Sequence, residues 1–214
     1  SIEFSDLNEM DSVIAHTSHA LEMYPNQASL YFFKGTAELS QKIYRSAATT
    51  LEQGLKLAGE RNNHLFTGQL GDAYYNLEEY DKAFKYYEKA LKSNPDNNHV
   101  LNNYSYYLAL QNQNLERAKE LSSRLVEKNP DSPTYLDTHA WVLYISGDYK
   151  EAKKYLERAI ENGAKSGVII EHYGDVLFKL GMVNKAVEQW KKAQGMEEVS
   201  ENIDKKIANR QLYE

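Results

Sequence analysis

The feature that most constrains this chain is a spacing. Ala83, Ala118, Ala152 and Ala186 are separated by 35, 34 and 34 residues. Gly71, Ser105, Ala140 and Gly174 step by 34, 35 and 34, and Ala90, Leu125, Ala159 and Ala193 by 35, 34 and 34. Three sets of small or apolar positions thus share one register. A period of this length marks a stacked supersecondary unit too small to bury its own apolar face, which finds a core only against its neighbours.

Within each period the local pattern is helical. The runs "YDKAFKYYEKALK" and "YKEAKKYLERAIE" set apolar or small residues three and four apart and scatter lysine and glutamate over the remaining face. Breaks fall between such runs, at "KSNPDN", "EKNPDSP", "ISGD", "ENGAKSG" and "KLGM". Small residues recur because two helices that cross at about 8–10 Å leave no room for more than a methyl group. Overfilling such a crossing costs about 1–3 kcal/mol. Helix starts are also written locally: Ser132-Pro133 supplies a cap and a first-turn proline, and Asp148 with Glu151, like Asp6 with Glu9, has capping-box spacing.

Residues 64–97 carry Leu70-Gly71, Tyr74, Ala83, Tyr87, Ala90 and Pro95 in order, with Thr67 at the first large position. This order resembles the tetratricopeptide repeat. Residues 98–132, 133–166 and 167–195 follow it more loosely, with Ser122 in an aromatic slot and Ala164 where proline would stand. Upstream, 28–63 is a degenerate repeat, 6–27 aligns with half a unit, and 196–214 reads as a polar capping helix. The resemblance implies an all-α fold, a right-handed superhelical solenoid of antiparallel helix pairs, with 1–214 as one domain. The half unit at the start suggests a piece cut from a longer repeat protein. The stretch "YLDTHAWVLY" is similar to the C-terminal repeats of large bacterial tetratricopeptide proteins, some of them envelope lipoproteins. That similarity implies the bacterial cell envelope ahead of the cytoplasm.

In this family the first helix of each pair lines a concave groove. The positions left over after the core slots are Gly68, Asp72 and Tyr75; Asn102, Tyr106 and Ala109; Asp137, Trp141 and Tyr144; and Glu171, Asp175 and Phe178. Aromatics beside carboxylates suit an extended peptide or a partner helix, with Tyr106 and Trp141 as anchors. Asp137, Glu171 and Asp175 would receive cationic or amide groups, so the expected partner is a basic or neutral protein or peptide. Tyr75, Tyr144 and Phe178 have packing between neighbouring helices as their alternative, and Trp190 falls in a core slot. Tetratricopeptide clamps for a terminal carboxylate use lysine, asparagine and arginine, of which only Asn102 is matched here.

Other classes of function fit poorly. With 25 Lys and Arg against 31 Asp and Glu, the net charge of -6 opposes the clustered cations that nucleic acid requires. No apolar run approaches the roughly 20 residues that span a bilayer. The absence of cysteine removes thiolate metal sites and cysteine nucleophiles. His16 and His19 are three apart but lack a third ligand, and "GAKSG" at 163–167 lacks the spacing of a phosphate loop. Asp137, Glu171 and Asp175, or His172 with Asp175, could pair as acid and base, yet an open groove gives no reason for a shifted pKa. The expectation is therefore a non-enzymatic interaction scaffold without a cofactor. Its alternative is a spacer or self-association module.

Overall fold

A computed structural model describes residues 2–59 and 62–213, with side chains described from residue 9 onward. Among the described residues the chain is twelve helices with no strand. It divides into two compact units, residues 1–100 and 101–214.

In the first unit, α1 (Ile2–Met23) precedes two pairs: α2 (Ala28–Ser40) with α3 (Tyr44–Leu57), and α4 (Asn63–Asn76) with α5 (Tyr80–Ser93). Then α6 (Asn98–Leu110) begins at the end of this unit and continues in the second. The second unit adds α7 (Leu115–Lys128), α8 (Pro133–Ile145) and α9 (Tyr149–Glu161). It ends with α10 (Gly167–Lys179), α11 (Val183–Ala193) and a short α12 (Ile203–Asn209).

The repeat register explains the packing. A Cβ on Gly71 would come within 2.4 Å of the Tyr87 ring, and one on Gly174 within 2.5 Å of the Trp190 indole. Glycine at these crossings is the condition for a large ring on the second helix. Where the second helix carries Ser122 or Leu156 instead, the same position on the first helix tolerates Ser105 or Ala140. Leu70, Tyr87 and Leu51 fill the core of the first unit. In the second, Leu136, Leu143 and Leu156 form one cluster, and Leu177, Trp190 and Ile203 another.

The turn inside each helix pair carries a left-handed residue at about the repeat period: Lys42, Glu78, Asn112, Gly147 and Gly181, with φ of 61°, 62°, 49°, 83° and 77°, and the α6–α7 turn has a second at Asn114, with φ of 41°. Only two of the five are glycine, the residue that adopts this conformation without steric cost.

The helix ends correct several local expectations. Helix α1 runs from Ile2, so Asp6 lies inside it rather than at a cap, and the Asp6 side chain is outside the described residues. Ser132 stands at the cap of α8 ahead of Pro133 but makes no side-chain cap bond. Asp148 does cap α9, accepting from the Glu151 amide at 3.5 Å. "GAKSG" is the turn into α10. The C-terminal segment is helical only over Ile203–Asn209.

Candidate functional site

The first helices of the second unit are tied together by a ladder of side chains. Thr138 on α8 donates to Asn102 Oδ1 on α6 at 2.8 Å. His172 Nδ1 on α10 lies 2.8 Å from Asp137 Oδ1 on α8. Lys206 Nζ on α12 lies 2.7 Å from Glu171 Oε1 and 2.8 Å from each oxygen of Asp175. Thr138, His172 and Lys206 are spaced by 34 and 34 residues, so each rung is made by the same repeat position reaching back to the preceding unit. Helix α12 therefore docks as the first helix of one more unit.

This ladder takes two of the expected ligand acceptors out of solvent. Glu171 and Asp175 are 4% and 5% exposed, and Lys206 is 3% exposed. Ser200 donates to Glu171 from its amide at 2.7 Å and from its hydroxyl. Burial would raise the Glu171 pKa, but the bonds from Lys206 and Ser200 together hold it below its ordinary value. At Asp175 burial prevails over Lys206 and the pKa rises. The chain itself supplies the cation that these carboxylates were expected to take from a partner.

Asp137 is different, because it lines an open cleft of about 290 Å³ with Asn102, Asn103, Tyr106, Tyr107, Thr138, Val168 and His172. Trp141 stands beside this cleft, stacked on His172 at 4.2 Å and on Tyr144 at 4.9 Å. Its indole N–H is buried without a hydrogen-bond partner among the described residues. Tyr144 is buried and touches Tyr149, which assigns it to packing. Phe178 likewise packs on Trp190. Burial opposes the proton on His172, yet Asp137, then Asp175 and Glu171, outweigh it and raise its pKa.

In the first unit Asp72 is 9% exposed. It accepts from the Tyr87 hydroxyl at 2.5 Å and pairs with His99 Nε2 at 2.6 Å. The bond to Asp72 raises the His99 pKa against burial. Asp72 is thus engaged inside the unit, and Tyr75 packs on Tyr80. Of the expected groove residues, the structure brings Asn102, Tyr106 and Asp137 to one cleft, with Trp141 behind it.

Sequence reading did not single out His172 as a cleft residue or Lys206 at all. The signal that finds them is the 34-residue register read from Thr138, neighbour of the groove residue Asp137, which places His172 one period and Lys206 two periods further on. The residues expected to play no metal role are also located: His16 bonds to Ser12 within α1, and His19 pairs with Glu22 at an exposed position. Among the described residues no group of acidic or histidine side chains is arranged to hold a metal ion. None of the described helices is long and apolar enough to cross a membrane.

These features define a helical-repeat protein. The repeat itself is identified by residues 68–97 and 134–162, both of which match models described as the tetratricopeptide repeat. The chain thus carries tetratricopeptide repeats at these residues.

The chain is similar to a TPR repeat-containing protein of Pseudomonas aeruginosa, 27% identical over 154 residues, 71% of this chain and 26% of that one. It is also similar to the human Protein O-mannosyl-transferase TMTC1, 26% identical over 200 residues, 80% of this chain and 22% of that one. The chain thus spans about a quarter of the length of these relatives. A crystal structure of a tetratricopeptide repeat protein from Parabacteroides merdae shares the fold, with a TM-score of 0.77 and 21% identity over 97% of this chain and 83% of that one.

Proposed function

We propose that this chain is a non-enzymatic scaffold that holds a partner polypeptide against the first-helix face of residues 101–214. Tetratricopeptide repeats generally mediate protein–protein interaction and are typically scaffolds rather than catalysts. The observation that carries the reading is the cleft in which Tyr106, Asp137 and His172 meet. Aromatic walls around a few fixed polar groups are what an extended peptide or partner helix needs for anchoring and orientation. The partner is basic or neutral, because the chain's net charge is -6 and Asp137 is the cleft's carboxylate.

Photo-crosslinking in the native host tests this. A photoreactive residue replacing Tyr106 should capture a protein that the same residue replacing the exposed Lys154 of α9 does not. Capture from Lys154 alone would move the interaction to the second-helix face.

A second reading, a spacer or self-association module, draws support from Met23, Tyr24 and Phe33 in the first unit, which are 59%, 58% and 57% exposed. Concentration-dependent mass in light scattering separates it from the first.

A further inference from the structure

The inference rests on the reading of the cleft as a partner site. The last rung of the ladder shows what a carboxylate at this repeat position accepts when a full cation is available: Glu171, 34 residues beyond Asp137, holds the Lys206 ammonium at 2.7 Å. The preceding rung differs in two respects. Asp137 and His172 both line an open cleft, and among the described residues neither Asp137 Oδ2 nor His172 Nε2 has a protein partner. In addition, His172 is a cation only when protonated.

We infer that the Asp137–His172 pair is a proton-competed subsite for a lysine or arginine side chain of the partner. With His172 protonated, the imidazolium neutralises Asp137 and repels an incoming cation. With His172 neutral, Nδ1–H still donates to Asp137 while Nε2 becomes an acceptor. Carboxylate and imidazole then both offer lone pairs to the cleft. Tyr106 and Tyr107 on its walls provide ring faces that favour an ammonium or guanidinium over a neutral amide.

The groups that bear on His172 come from several helices. Asp137 faces it from α8, and Glu171 and Asp175 act from its own helix. Lys206 of α12 is committed to those last two carboxylates. Helix α9 presents Glu157 to Tyr173, a position further round α10, and α11 presents the Trp190 indole to Asp175. Three carboxylates against one committed lysine outweigh burial and raise the His172 pKa, so a ligand cation gains on the proton as pH rises.

The test is a titration of the whole chain with three peptides that share an alanine, serine and tyrosine frame and differ at one central residue, Arg, Gln or Glu. Amide and indole NMR signals of Tyr106 and Trp141 locate binding. At about pH 8 the Arg peptide should bind about tenfold tighter than the Gln peptide, and the preference should shrink several-fold near pH 5.5. Asp137→Asn should abolish the preference, whereas His172→Gln should keep it and remove its pH dependence. If Gln or Glu peptides bind as well as Arg while shifting Tyr106 and Trp141, the cation subsite falls and the cleft remains a partner site. If no peptide shifts those signals, the subsite and the cleft reading fall together.

Discussion

The indole Nε1 of Trp190 donates to Asp175 at 2.8 Å, and the ring occupies the space that Gly174 leaves by lacking a Cβ. Tyr87 stands to Asp72 and Gly71 in the same relation, its hydroxyl 2.5 Å from the carboxylate. In both cases donor and acceptor are 15 residues apart. A glycine followed by aspartate on a first helix is therefore coupled to a large hydrogen-bonding ring on the second. In the intervening units the aspartate slot carries Tyr106 or Trp141 and the ring slot carries Ser122 or Leu156. The polarity of the groove face and the volume of the core vary together.

Gly174→Ala should lower stability by about 1–3 kcal/mol through overpacking against Trp190. Adding Trp190→Leu recreates the Ala140 and Leu156 pairing, so the double variant should cost less than the sum of the two single ones in urea unfolding. Strict additivity would contradict the coupling.

Lys206→Ala should cost about 3–5 kcal/mol, because it leaves two buried carboxylates without their cation. Lys206→Ala combined with Glu171→Gln should recover part of that loss. Thermal unfolding followed by circular dichroism reads both.

His139 provides a pH test of opposite sign to His172. Burial, with Lys119 adding to it, pushes the His139 pKa down to about 4, and its Nδ1 lies 2.8 Å from the Ser122 hydroxyl. The unfolded chain binds this proton more readily, so the stability tied to a neutral His139 is present above about pH 6.5 and is lost as pH falls toward 4. The full effect is on the order of 3 kcal/mol. His172, whose pKa is raised, contributes stability that is complete below its unfolded value and is lost as pH rises through the folded one. His139→Gln should flatten the acid limb of the stability profile, and His172→Gln the limb above neutrality.

Glu78→Gly should stabilise the first unit by roughly 0.5–1 kcal/mol, since Glu78 holds a φ of 62° at the position where Gly147 and Gly181 stand in later repeats. Gly147→Ala should act in the opposite direction. Unfolding midpoints of the two variants check this.

The period made the fold legible, because alanine and glycine at fixed crossings admit little besides stacked helix pairs. Asn102, Tyr106 and Asp137 were placed on a common face by the same spacing, and they meet in the cleft. Burial at Asp72, Glu171 and Asp175 was not legible, since each depends on a donor that is ordinary in its local sequence context. Lys206 lies in a run of charged residues that reads as solvated, and only the position of α12 relative to α10 makes it a core cation. The Asp6 cap failed for the converse reason: a local motif is compatible with a helix interior when preceding residues continue the helix.

The most direct test of the central claim is capture of partners from the native host by this chain and by a Tyr106→Ala, Tyr107→Ala, Asp137→Asn variant with unchanged helix content, read by quantitative mass spectrometry. The account predicts a protein retained by the unaltered chain and lost from the variant. Equal recovery of every partner by both would contradict it.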